Sequence, residues 1–189
     1  MLDKSLQGGF AQPAVQSAAA FRAALNVLAR PGRIAELHGA QAPAPVSPAA
    51  AALLLTLCDA ETPVFLAPGH DGAEVRDWVA FHIGAPIVAA SQAQFALGTW
   101  AALTPLSAYP VGDAEYPDRS ATLIVELDAL SNSGPRLTGP GIQSHARLSL
   151  PETAAFRANR QLFPLGLDFY FAAGHRLAGL PRSTLVEDL

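Results

Sequence analysis

The densest run of residues able to do chemistry is Asp113, Glu115, Tyr116, Pro117, Asp118, Arg119 and Ser120. Carboxylates beside a guanidinium can move protons or hold an anion. Glu115, Asp118 and Arg119 are therefore the candidate catalytic residues, for a hydrolase or transferase working on a phosphorylated ligand. The same residues could instead build a hydrogen-bonded loop that caps a strand end, with Asp118 and Arg119 as a structural ion pair or an interface. Arg119 is also a candidate anion or partner contact, together with Arg182 and His82. Arg182 lies in Leu180-Pro181-Arg182-Ser183-Thr184, where its planar fork could meet a phosphate or a partner carboxylate, or form a surface salt bridge. His82 sits near a helix end, where the dipole favours the imidazolium form; a packing histidine is the other reading. His70, His145 and His175 fall at turns or strand ends and are expected to be solvated. No two histidines have metal-ligand spacing, so no metal site is expected.

Other chemistries are excluded by what is missing. The chain has no G-x-S-x-G, P-loop, H-E-x-x-H or C-x-x-C. Gly139-Pro140-Gly141 opens like a dinucleotide fingerprint but lacks the third glycine. Proline there removes an N–H that could cradle phosphate, which favours a simple turn. Of 12 basic residues only Lys4 is a lysine, and it falls in an N-terminal arm. Schiff-base chemistry, pyridoxal phosphate included, needs an amine held beside the cofactor, so no cofactor is expected. Cys58 is alone inside an apolar helix and reads as a small hydrophobe rather than a nucleophile.

The 189 residues, 50% hydrophobic and 15% charged with a net charge of −4, exclude a disordered chain. They also lack the basic footprint of a nucleic-acid binder. Charge this sparse suggests surface covered by a partner. No targeting segment is evident, and the apolar run 49–58 is far shorter than the ~20 residues that span a bilayer. A cytoplasmic protein is expected.

The elements that must position these residues follow from periodicity. Residues 1–16 read as an extended arm. A helix capped by Ser17 would place Phe21, Leu25 and Leu28 on its packing face and end at Pro31-Gly32. A short strand (33–38), a proline-rich crossing (42–48), a helix from Pro48 to about Ala60, a buried strand (62–67) and a helix over 71–83 follow. Weak strands are expected at 87–90 and 95–97, then a polar loop over 100–119. The clearest strand is Ser120–Leu127, whose continuous apolar run predicts burial on both faces. A strand pair (136–138 with 143–150), a helix (151–163) and a hairpin (167–173 with 176–180) complete the chain. With no repeat and no linker, it reads as one α/β domain over 1–189, a mixed sheet flanked by helices.

Taken in order, several segments carry a more specific signal: Phe21-Arg22 with Ala29-Arg30-Pro31-Gly32; Leu53-Leu54-Leu55-Thr56-Leu57 with Asp59; Thr62-Pro63-Val64; Phe81-His82 with Gly84-Ala85-Pro86; Glu115 through Ile124; Leu137 with Gly139-Pro140-Gly141-Ile142; Phe163-Pro164-Leu165-Gly166 with Asp168; and Leu180 through Thr184. Together they resemble the PhnH family, the H subunit of the bacterial carbon–phosphorus lyase system for phosphonate use. Ser183 stands where the family more often shows threonine. The resemblance implies a fold like the large domain of pyridoxal-phosphate-dependent transferases, without the cofactor. It implies a homodimer in isolation and assembly with the G, I and J subunits. It also implies a requirement, alongside G, I and the L ATPase, in forming α-D-ribose 1-methylphosphonate 5-triphosphate from ATP and methylphosphonate, with release of adenine. It carries no established catalytic residue onto this chain. An accessory, non-catalytic subunit is the reading favoured here. A stand-alone enzyme, or a module binding a phosphate or phosphonate ligand through the Glu115-Asp118-Arg119 loop, is the alternative.

Overall fold

The computed structural model describes residues 7–187; Lys4 and the first part of the expected arm lie outside them. Helix α1 (Pro13–Ala29) begins with proline in its first turn and Gln12 as N-cap, five residues before the expected Ser17. Proline fits there because its missing N–H would find no partner in the first turn anyway. The second helix, α2 (Pro48–Leu57), shows the same device with a working cap: the Ser47 side chain accepts from the Ala50 N–H. Removing this cap as Ser47→Ala should cost about 1 kcal/mol. Thermal denaturation should show this as a fall of roughly 2–4 °C.

Strands β1 (Ile34–Glu36), β2 (Val64–Leu66), β3 (Phe95–Thr99), β4 (Thr122–Glu126), β7 (Asp168–Ala173) and β8 (Arg176–Leu180) form one sheet in the order β1-β8-β7-β4-β3-β2. Neighbours from β2 through β7 run parallel, and β8 is antiparallel to both β7 and β1. The sheet is therefore mixed, as expected. β4 lies in register between β3 and β7, Ile124 opposite Leu97 and Tyr170. Its Leu123, Ile124 and Val125 are fully buried. Ile124 faces the layer holding α1, α2 and α3 (Ala73–His82), while Leu123 and Val125 face the other layer, with Phe156 and Phe169. That second layer contains α5 (Ala154–Gln161). It also contains a three-stranded sheet of β6 (Ala146–Arg147), β5 (Arg136–Thr138) and β9 (Leu185–Glu187).

Several expectations shift. The packing face of α1 is Ala20, Ala24 and Val27, whereas Phe21 and Leu25 are 50% and 57% exposed. The cause is Gly179 on β8: a Cβ there would come within 2.9 Å of the Leu28 nitrogen and Val27 carbonyl. Only small side chains let the helix backbone sit so close to the strand. The expected strand at 87–90 reduces to one bridge between Ile87 and Val64, while the weak 95–97 becomes the full strand β3. The 100–119 loop contains the short helix α4 (Trp100–Leu103) and two 3₁₀ turns ending at Ala108 and Arg119. The helix expected over 151–163 is shortened to α5, and β9 was not anticipated.

Candidate functional site

Loop 113–120 is organised by its own first residue. The Asp113 carboxylate accepts from the backbone N–H groups of Glu115 and Tyr116 at 2.9 and 2.7 Å. This is the local turn that aspartate favours. Arg119 stacks on the Tyr116 ring, 3.8 Å from its centroid. Glu115, Asp118 and Arg119 are all exposed. Asp118 and Arg119 border an open recess of about 700 Å³ whose other wall is Gln92, Gln94 and Phe95. The structure thus brings Asp118 and Arg119 to one recess, while Glu115 is not among the residues lining it. An exposed cation–π stack contributes only about 0.5–1 kcal/mol. Arg119→Ala should therefore leave stability almost unchanged in urea denaturation, with any loss below about 1 kcal/mol.

Arg182 and His82 lie elsewhere. Arg182 is tied to the base of the same loop. Its Nε donates to both Asp168 oxygens at 3.2 Å, Nη1 donates to the Pro117 carbonyl at 2.8 Å, and Nη2 donates to Ser120 Oγ and to Asp168. The Arg182 backbone N–H adds a fourth link, 2.8 Å to Asp168 Oδ1. The side chains are only 14% and 23% exposed. These contacts use most of the guanidinium's five donors, so they fasten the loop, the start of β7 and the turn after β8 together. His82 packs at the end of α3 between the rings of Trp78 and Phe81. Gly9 of the N-terminal segment approaches its ring, and a Cβ there would meet Nδ1 at 2.8 Å. Its surroundings are those of a packing histidine.

Cys58 closes α2 as a buried thiol, and burial pushes its pKa up to about 12. The thiolate is the reactive form. At pH 8 only about one thiol in 10⁴ would be ionised, so labelling by iodoacetamide should proceed no faster than unfolding exposes it.

Two groups that sequence reasoning passed over meet at the carboxyl edge of the parallel strands. His70, expected to be solvated, is 3% exposed. It follows β2 in a tight turn, its N–H on the Ala67 carbonyl. Residues distant in the chain enclose it, so no local pattern marks it as buried. Neither ring nitrogen has a hydrogen-bond partner among the described residues, and burial lowers its pKa. Glu126 ends β4, and its Oε1 accepts from the Ser47 N–H at 2.7 Å. Burial raises its pKa, with the Ser47 bonds opposing that shift. An acidic residue closing an apolar strand at the ligand-binding edge of an α/β sheet is the signal that could have flagged it.

These shifts set opposite pH slopes. The unfolded chain takes up the His70 proton below about pH 6.5 while the folded chain resists it, so this residue's contribution is lost as pH falls through that region. Glu126 holds its proton to higher pH when folded, so its contribution weakens as pH rises above the ordinary carboxylate range. Urea midpoints of wild type and His70→Gln, compared from pH 7 to pH 5, should converge at the acid end.

A family model described as bacterial phosphonate metabolism protein (PhnH) matches residues 8–187. The chain is 39% identical to the α-D-ribose 1-methylphosphonate 5-triphosphate synthase subunit PhnH of Rhizobium meliloti (strain 1021), over 95% of this chain and 94% of that protein. It is also 33% identical to the putative C-P lyase subunit protein HtxG of Stutzerimonas stutzeri, over 41% of this chain and 43% of that one.

Proposed function

The chain belongs to the PhnH family of bacterial phosphonate metabolism proteins, and on that premise we propose that it is an accessory, non-catalytic subunit of a carbon–phosphorus lyase assembly. In this reading it joins the G, I and J subunits. With G, I and the L ATPase it supports formation of α-D-ribose 1-methylphosphonate 5-triphosphate from ATP and methylphosphonate, in the cytoplasm. In isolation it forms a homodimer. The observation that carries the non-catalytic part is the state of the candidate loop. Its acids stand in solvent, Asp113 is spent on backbone N–H groups, and Arg182 is spent on Asp168, Pro117 and Ser120. Catalytic acids and bases are instead expected in enclosed surroundings that tune their pKa.

The mixed sheet of parallel strands with one antiparallel neighbour, layered by helices, supports a fold like the large domain of pyridoxal-phosphate-dependent transferases. No lysine occurs among the described residues, so none of them could anchor that cofactor as a Schiff base. Exposed Phe21 and Leu25, one turn apart on α1, are apolar surface of the kind that partner chains cover. Among the described residues no helix is long and apolar enough to cross a membrane.

The test is omission. The G, I and J subunits are co-expressed with and without this chain, sized by chromatography, and assayed with L. The reading expects a smaller assembly and loss of turnover without it. An unchanged assembly that still turns over would remove the accessory role.

A further inference from the structure

Strand β9 pairs with β5 on one side and, among the described residues, with no strand on the other. A recess of about 410 Å³ runs beside it, lined by Leu185, Val186 and Glu187 on one wall and by Arg157, Arg160 and Gln161 of α5 on the other. Successive strand residues point to opposite faces of a sheet. Val186 is buried in the same cluster as Phe156 of α5, while Leu185 is 47% exposed. A recess that reaches both α5 and all three strand residues therefore lies along the edge that β5 leaves open.

That edge is unguarded. An open strand edge is a template for another chain, and proteins blunt it with proline, lysine, a bulge or a covering element. β9 contains neither proline nor lysine, and the recess lies between it and α5. An added strand satisfies outward N–H and C=O groups by main-chain hydrogen bonds, while side chains set which strand is accepted. Three residues at roughly 3.3 Å each give an edge of about 10 Å, so main-chain bonds are few and the side chains matter.

The side chains facing the slot are cationic. Arg157, Arg160 and Gln161 share one face of α5, at the three- and four-residue spacing of helix neighbours. Arg160 is held in place: its Nε donates to the Ser183 carbonyl at 3.2 Å, and its guanidinium lies 4.7 Å from the centre of the Phe163 ring. The one carboxylate lining the recess among the described residues, Glu187, is already engaged. It accepts from Arg136 Nη1 at 3.1 Å and from Thr138 Oγ1 at 3.2 Å. Guanidinium groups bind carboxylates strongly, so this slot favours an acidic strand and repels a basic one.

We propose that the open edge of β9 takes up an extended, acidic segment of a partner protein as a fourth strand of the small sheet, with its carboxylates toward the arginines of α5. This goes beyond the accessory reading by naming a docking mode. Its test uses the isolated chain, so it succeeds or fails whether or not the assembly forms.

The full chain, isotopically labelled, is titrated with a capped peptide of alternating valine and aspartate while its backbone amides are followed by NMR. Two controls are the fully N-methylated peptide, which has no backbone N–H, and a peptide of alternating valine and lysine. Saturable shifts at residues 185–187 are expected with the acidic peptide, and at least roughly tenfold weaker binding with each control. Arg157→Gln with Arg160→Gln should weaken the acidic peptide by a similar factor. No saturable shift at 185–187 up to about 5 mM peptide, or equal binding of either control, would overturn the proposal. Circular dichroism checks that the double variant is folded. If it is not, salt decides the charge contribution on the wild type. Binding that weakens between about 50 and 500 mM NaCl supports the arginine contacts, and binding indifferent to salt refutes them.

Discussion

Replacing Arg182 with alanine should lower the free energy of unfolding by about 3 kcal/mol, the low end for breaking a buried ion pair. The arginine is the one side chain that holds Asp168, the Pro117 carbonyl and Ser120 at once. Its removal leaves a carboxylate that is 23% exposed without its charge partner, and a loop base without its brace. For a chain of this size such a loss corresponds to a melting point lower by roughly 6–12 °C. Loop 113–120 should then be cut by protease ahead of the rest of the chain. Arg182→Lys should recover only part of the stability, because an ammonium cannot make the paired contacts of a planar fork. A melting point within about 2 °C of wild type for Arg182→Ala would show that the hub is ornamental.

The second large effect is expected at Gly179. Its φ is ordinary, so backbone freedom is not the issue. The constraint is space, since the α1 backbone at Val27 and Leu28 lies where a Cβ would point. Backbone atoms cannot swing aside as a side-chain tip can. Gly179→Val should push α1 off β8 and cost about 3 kcal/mol or more, at or above the usual range for overpacking. Chemical denaturation would check this. Gly179→Ala, with one carbon, should cost less than Gly179→Val. Equal stability of all three proteins would mean that α1 does not pack on β8 as described.

The same contact explains where sequence reasoning went astray. On α1 the large apolar residues Phe21 and Leu25 recur at helical spacing and read as the buried face. The true packing face is the smaller set Ala20, Ala24 and Val27. Periodicity ranks a face by hydrophobicity, and it has no access to a glycine that is distant in the chain and admits only small side chains. Strand β4 was legible because a central parallel strand is apolar on both faces, and that needs no long-range knowledge. β3 (Phe-Ala-Leu-Gly-Thr) looked weak because alanine and glycine have little strand propensity. Pairing on both sides with β2 and β4 overrides that preference. Strand β9 is three residues long and, among the described residues, pairs only with β5, so its own sequence says little.

The candidate site divides in the same way. The Glu115–Ser120 run was visible as a cluster of polar types, and the structure places it in a self-bonded loop. That Arg182 reaches this loop was not visible, since 62 residues separate it from Ser120. His70 looked like an ordinary turn histidine. Only the tertiary fold, which brings it to one recess with the start of α2 and the ends of β3 and β4, makes it a buried group without a partner among the described residues.

In an accessory subunit the loop acids contribute no reaction chemistry. The most direct test is the reconstituted assembly carrying Glu115→Gln and Asp118→Asn together in this subunit, assayed for adenine release from ATP in the presence of methylphosphonate. An assembly of unchanged size should release adenine within about twofold of the wild-type rate, a barrier change of less than 1 kcal/mol. An assembly of the same size with a rate lower by a hundredfold or more, about 2.7 kcal/mol, would place these carboxylates at a reaction centre and overturn the accessory role.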